Sequence, residues 1–274
     1  VVSLLRPTNE GGGGCTPASI VAFTFTDKAA GELKERIHTR CREHLGEIPG
    51  LAEMYVGTIH GFCLELLKSE VPAFMKYEVL NEVQQSLFVD RHSRGSGLTQ
   101  STTLTGQALK RYTDTRHYIG SLNILREDRA EAPEHLDGNT VVEHLPAYER
   151  LLHDKGYLDY SGILREAVAQ LKGNAGLRKR LAARVSHVIV DEYQDVNPVQ
   201  EAVVEELHGL GAGICVVGDD DQAIYQWRGS DVRNILSFET RYPRVTQVRL
   251  EENFRSSEGV VAVARDFIRQ VVRR

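Results

Sequence analysis

No stretch of the 274 residues approaches the ~20 consecutive apolar residues that a membrane-spanning helix needs, so no membrane partner is expected. Cysteine is scarce. Cys15, Cys41, Cys63 and Cys215 are far apart and form no C-x-x-C pair, which removes a disulfide framework and a cysteine zinc site and makes a reducing cytoplasm the expected setting. A coat of positive charge is also missing, since 33 Lys and Arg face 38 Asp and Glu for a formal net charge of −5. That does not exclude nucleic acid, which needs only a local basic or aromatic groove. The string G-x-x-x-x-G-K-[ST], whose backbone N–H groups cradle phosphates and whose Lys reaches the terminal ones, does not occur. The glycine run Gly11-Gly12-Gly13-Gly14 is followed by Pro17 and by no Lys-Ser or Lys-Thr, so it reads as a flexible loop.

What is present is a pair of apolar runs that empty into acidic turns. His187-Val188-Ile189-Val190 leads into Asp191-Glu192-Tyr193-Gln194-Asp195, and Ile214-Cys215-Val216-Val217 leads into Gly218-Asp219-Asp220-Asp221-Gln222. Phosphoryl transfer needs positioning and charge neutralisation more than covalent help. Asp191 is therefore the candidate Mg²⁺ ligand, Glu192 the candidate for polarising the attacking water, and Gln222 a neutral amide able to meet that water or a terminal phosphate. Taken singly, either run could be a buried strand ending in a polar turn. Together they suggest neighbouring parallel strands, whose carboxyl ends face one ligand crevice.

The chain at this point resembles the UvrD/Rep-like superfamily 1 DNA helicases. The resemblance to motif II is carried by Asp191 to Asp195, to motif III by Gly218 to Gly229 (GDDDQAIYQWRG), and to motif IV by Leu250 to Ser257 (LEENFRSS). Thr24-Phe25-Thr26-Asp27-Lys28-Ala29-Ala30 resembles motif Ia, and Gly57-Thr58-Ile59-His60-Gly61-Phe62 the Thr-x-His motif that follows it. The resemblance implies an α/β fold, a RecA-like parallel sheet flanked by helices with an inserted all-helical subdomain. It also implies ATP and Mg²⁺ as cofactors, single-stranded DNA and DNA junctions as partners, and repair or nuclease proteins as further partners.

Site residues follow from the matched positions. Trp227, the sole Trp, is expected to stack on a DNA base beside Arg228, since base stacking on aromatic faces is worth ~1–3 kcal/mol per base. Phe25 has the same implied role and an alternative place in the core, because it ends an apolar strand. Thr24, Thr58 and His60 are candidate phosphate or sugar contacts, His60 being equally readable as a structural histidine, and Tyr225 is ambiguous between DNA and packing. Arg255 could neutralise phosphate oxygens with its rigid guanidinium fork or simply pair with Glu251 or Glu258. Phe254 stands where the family usually has Tyr and would stack on adenine. Tyr193 stands where Phe is more usual. Asp27 replaces the common Asn of motif Ia and puts a DNA contact there in doubt.

Periodicity places a strand at 19–25, a helix at 27–41, a short strand at 55–57 and a helix at 59–68. Residues 76–184 read as mostly helical, broken by a polar stretch at 93–106, expected to be disordered, and by an acidic connection at 127–139. The expected domains are 1–70 as the first part of the motor domain, 71–184 as the helical subdomain and 185–274 as the remainder through motif IV. With no phosphate loop and no motif V or VI, the chain reads as an internal piece of an ATP-dependent 3′→5′ DNA helicase, itself without turnover. The alternative is a non-catalytic DNA-binding or scaffold subunit that has lost its phosphate loop. Intact Asp191, Glu192, Gln222 and Arg255 favour an active parent, and Asp-Glu-Tyr-Gln-Asp in place of Asp-Glu-Ala-Asp argues against an RNA helicase.

Overall fold

Parallel strands buried on both faces read as continuous apolar runs, and Ile20, Val21, Ala22 and Phe23, all buried, obey that rule. The computed structural model describes residues 1–7, 14–103, 105–127, 138–225 and 229–270. Its strands are β1 (Ile20–Thr24), β2 (Tyr55–Thr58), β3 (Glu78–Val79), β4 (Tyr157–Leu158), β5 (His187–Val190) and β6 (Gly213–Val216). Four of them form an all-parallel sheet in the order β2-β1-β5-β6, with β6 at one margin. Strands β3 and β4 pair in a separate two-stranded ladder. In the main sheet Thr24 stands opposite Thr58, Phe23 opposite Val190, and Val190 opposite Val216, so the carboxyl ends are nearly level.

The helices are α1 (Val2–Leu5), α2 (Asp27–Leu45), α3 (Ile59–Glu70), α4 (Glu82–Arg91), α5 (Thr115–Glu127) and α6 (Thr140–Asp154) in the first half. They continue as α7 (Tyr160–Gly173), α8 (Ala175–Arg184), α9 (Pro198–Gly209), α10 (Arg233–Leu236), α11 (Phe238–Arg241) and α12 (Glu258–Arg269). Strand alternation sends Val21, Phe23, Val188 and Val190 into a core with α3, α7, α8 and α9, while Ile20, Ala22 and Val56 pack with Ile37 and Cys41 of α2 on the opposite face. The α/β fold with a parallel sheet flanked by helices is thus as expected. Helix α2 runs about one turn past its expected end at Cys41 and stops at Gly46, whose φ of 79° few other residues adopt.

A second apolar core, made of Leu80, Phe88, Leu98, Tyr118, Leu122 and Tyr148 among others, unites α4, α5 and α6. It spans a narrower part of the chain than 71–184, because Ile163, Leu164 and Leu171 of α7 and Leu177 and Leu181 of α8 belong to the sheet's core. The described part of the stretch 93–106, residues 93–103 and 105–106, departs from its expected disorder. Ser96, Leu98 and Ser101 are fully buried, and the Tyr118 hydroxyl donates to the Ser96 carbonyl at 2.6 Å. Leu98 fills the second core, which a polar composition concealed.

The two cores are joined through Asp159, which caps α7 by accepting from the Gly162 N–H at 2.8 Å. Its other oxygen accepts from Arg126 at 2.6 Å, Tyr148 at 2.7 Å and Gln85 at 2.9 Å. Burial pushes the Asp159 carboxyl up, but Arg126 and these donors outweigh it and hold it below the usual carboxylate range.

Candidate nucleotide and DNA cleft

Because the strand ends are level, the residues that follow β1, β2 and β5 meet. Thr24, Phe25, Thr58, His60, Asp191 and Glu192 line one cleft at the carboxyl edge of the sheet. Such edges are where open α/β sheets hold ligands. Each side chain is placed by a local device. The Thr58 hydroxyl accepts from the Gly61 N–H at 3.1 Å and caps α3, and the Thr26 hydroxyl accepts from the Ala29 N–H at 3.1 Å and caps α2. Asp27 sits in the first turn of α2, where its negative charge complements the helix dipole. Thr24 is buried and its hydroxyl donates to the Thr26 carbonyl at 3.1 Å.

Phe25 is half-buried, and its ring stacks on Tyr225 with centroids 5.4 Å apart and planes 26° apart. The structure therefore brings two of the aromatic DNA candidates together. The His60 ring meets Tyr160 edge-on at 5.9 Å, and burial lowers its pKa to about 4, so at neutral pH the imidazole is uncharged. Trp227 and Arg228 lie outside the described residues.

Asp191 directly follows β5, its backbone N–H donating to the Phe23 carbonyl at 3.0 Å. Burial raises the pKa of its carboxyl, Glu192 adds to the rise, and the Glu192 N–H opposes it. Asp195 is raised in the same way by burial and by Glu192, and its Oδ1 is buried without a hydrogen-bond partner. Among the described residues no Lys or Arg forms an ion pair with Asp191 or Glu192. The Arg36 charge also lowers the Asp191 carboxyl. Asp191 and Glu192 supply oxygen donors of the kind that suit Mg²⁺, an ion held by one or two protein carboxylates, whereas among the described residues the three acidic groups whose ligand atoms lie within 4.8 Å of one another are Asp219, Asp220 and Asp221 on the turn after β6. Glu192 has φ 52°, unusual for a residue with a side chain.

Gln222 lies on the exposed turn after β6, its amide donating to Asp219 Oδ2 at 2.8 Å, and it does not line the cleft. Phe254 is 90% exposed, and Arg255 is exposed with no ion pair to Glu251 or Glu258 among the described residues. Neither lines the cleft.

Two glutamines and a hydroxyl without a motif signal of their own also belong to this region. Gln200 lines the cleft, and Gln194 is buried behind Glu192. The Tyr193 hydroxyl donates to the buried Glu201, which also accepts from Tyr242 at 2.7 Å and Arg241 at 2.6 Å. The signal for this network was the charged Glu201 on the otherwise apolar face of α9.

Residues 10–243 match the UvrD/REP helicase N-terminal domain family. Among curated proteins, the chain is 31% identical to an ATP-dependent DNA helicase UvrD1 of Mycobacterium leprae (strain TN), over 92% of this chain and 33% of the relative. It is 30% identical to DNA helicase II of Escherichia coli (strain K12), over 93% and 34%, and 29% identical to an ATP-dependent DNA helicase PcrA of Bacillus subtilis (strain 168), over 92% and 33%. The chain spans about a third of the length of the curated relatives it matches.

Proposed function

Because the chain belongs to the UvrD/REP helicase N-terminal domain family, we propose that it supplies the metal-side carboxylates and part of the single-strand path of an ATP-dependent DNA helicase moving 3′→5′ in repair or recombination. The observation that carries this reading is the shared cleft, in which Asp191 and Glu192 lie beside Thr24, Phe25, Thr58 and His60. Asp191 would hold Mg²⁺, which neutralises phosphate charge, and Glu192 would orient the attacking water. Phe25 and Tyr225 offer aromatic faces for bases, and Trp227 and Arg228, two and three residues after Tyr225 in the sequence, are the further candidates for stacking and phosphate contact. Arg255, Phe254 and Gln222 would reach the nucleotide only once their segments move to it. We take the unit built on the second core as the inserted helical subdomain.

The test is DNA-stimulated hydrolysis by the full-length protein. Glu192→Gln should abolish phosphate release while nucleotide still binds. Retained hydrolysis would overturn the role of Glu192, and absence of hydrolysis in the unaltered protein would favour a non-catalytic DNA-binding subunit. Directional movement is read by displacing streptavidin from the 5′ end, and not from the 3′ end, of single-stranded oligonucleotides.

A further inference from the structure

Gln194 is 1% exposed and is hydrogen-bonded at both ends of its amide. Nε2 donates to Glu192 Oε2 at 2.7 Å, and Oε1 accepts from the Asp219 N–H at 3.0 Å. Only this orientation of the amide satisfies both partners, since a carboxylate cannot donate and a backbone N–H cannot accept. Asp219 in turn accepts from the Asp221 N–H at 3.0 Å and the Gln222 amide at 2.8 Å. An unbroken polar line therefore runs from Glu192 through Gln194 and Asp219 to Gln222.

The surroundings leave the amide little freedom. The Tyr193 N–H donates to the Val217 carbonyl at 3.0 Å and zips the two strand-end turns together. At Gly218 a Cβ would stand 2.6 Å from Gln194 Oε1, so a side chain there would expel it. Glu192, by contrast, is exposed, and the amide of Gln194 is the side-chain hydrogen bond that anchors its carboxylate among the described residues.

We propose that Gln194 is a positioning residue that holds the Glu192 carboxylate in register with the turn of residues 219–222, an inference that rests on Glu192 being the water-orienting group. One carboxylate oxygen is occupied by the amide, which leaves the other for water. Displacement at the 219–222 turn is passed to Glu192 through one rigid amide.

The experiment compares steady-state ATP hydrolysis at saturating single-stranded DNA in the full-length protein. Gln194→Met keeps the volume and removes both hydrogen bonds. Because small misplacements of a reacting group cost rates of this order, kcat should fall about ten- to hundredfold with KM for ATP and DNA affinity held within about threefold. Gln194→Asn keeps the amide but is one methylene too short to meet Glu192 and the Asp219 N–H together, so its kcat should fall about tenfold or more with KM for ATP again held. A kcat of Gln194→Met or of Gln194→Asn within twofold of the unaltered protein overturns the inference. If Gln194→Met fails to fold, Gln194→Asn still decides it. Glu192→Gln separates the two readings: hydrolysis lost there but kept in Gln194→Met sinks only the positioning role, whereas hydrolysis kept in Glu192→Gln sinks both.

Discussion

A buried ion pair is worth little against an apolar replacement of the whole pair but costs much when one partner is removed. Arg126→Met would leave Asp159 charged in a buried site with only neutral donors, and should destabilise the chain by about 3–5 kcal/mol, read from the urea midpoint. His60 makes a pH-dependent contribution. The unfolded chain binds its proton near about 6.5, whereas burial lowers the folded value to about 4. Below the unfolded value the unfolded state takes up a proton that the folded state refuses, so this stability is complete above about pH 6.5 and is lost as pH falls toward 4. Between pH 7 and pH 5, His60→Gln should lose about 1–2 kcal/mol less than the unaltered chain in denaturant titrations. At this scale the residue types were legible and the partners were not. Asp191 and Glu192 are set by two adjacent letters after an apolar run, whereas Gln194 acts through Asp219, a residue 25 positions away in the turn that follows another strand, and no local pattern encodes that.

Elements were readable where their period was strong. Strands β1 and β5 and helices α2 and α3 lie within a few residues of the sequence reading, since apolar runs and capping threonines mark them. The 93–106 stretch was misread because its burial depends on one leucine, Leu98, inserted among polar neighbours that bond to backbone. The division of α7 and α8 from the helical unit was invisible to periodicity, which shows that a helix has an apolar face but not which core receives it. Helix α12 has such a face, Val260, Val263 and Phe267, and buries none of it. Residues 243–270 contribute no buried side chain, so ending the chain after Tyr242 should leave the thermal midpoint unchanged within about 2 °C, as follows when no burial is lost.

At the scale of the molecule, the sequence contains no phosphate-loop string, and ATP hydrolysis by this chain alone is expected to be negligible. Turnover in the ~1–10³ s⁻¹ range common to enzymes, lost in Glu192→Gln, would refute that expectation. Weak single-stranded DNA binding should remain, with a salt-sensitive part and a stacking part. Trp227→Ala should weaken it by ~1–3 kcal/mol and leave the salt slope unaltered, because an indole releases no counterions. The lone indole allows the same titration to be followed by fluorescence quenching.

The marginal position of β6 has a consequence for handling the chain. Among the described residues no strand pairs with its outer side, and Cys215 and Val217 are exposed along it. Unpaired backbone N–H and C=O groups on an uncharged strand are a template for another copy. The mean mass read by light scattering should therefore rise with concentration in a manner that reducing agent does not abolish, and Val217→Lys, which puts charge where a second strand would lie, should suppress it.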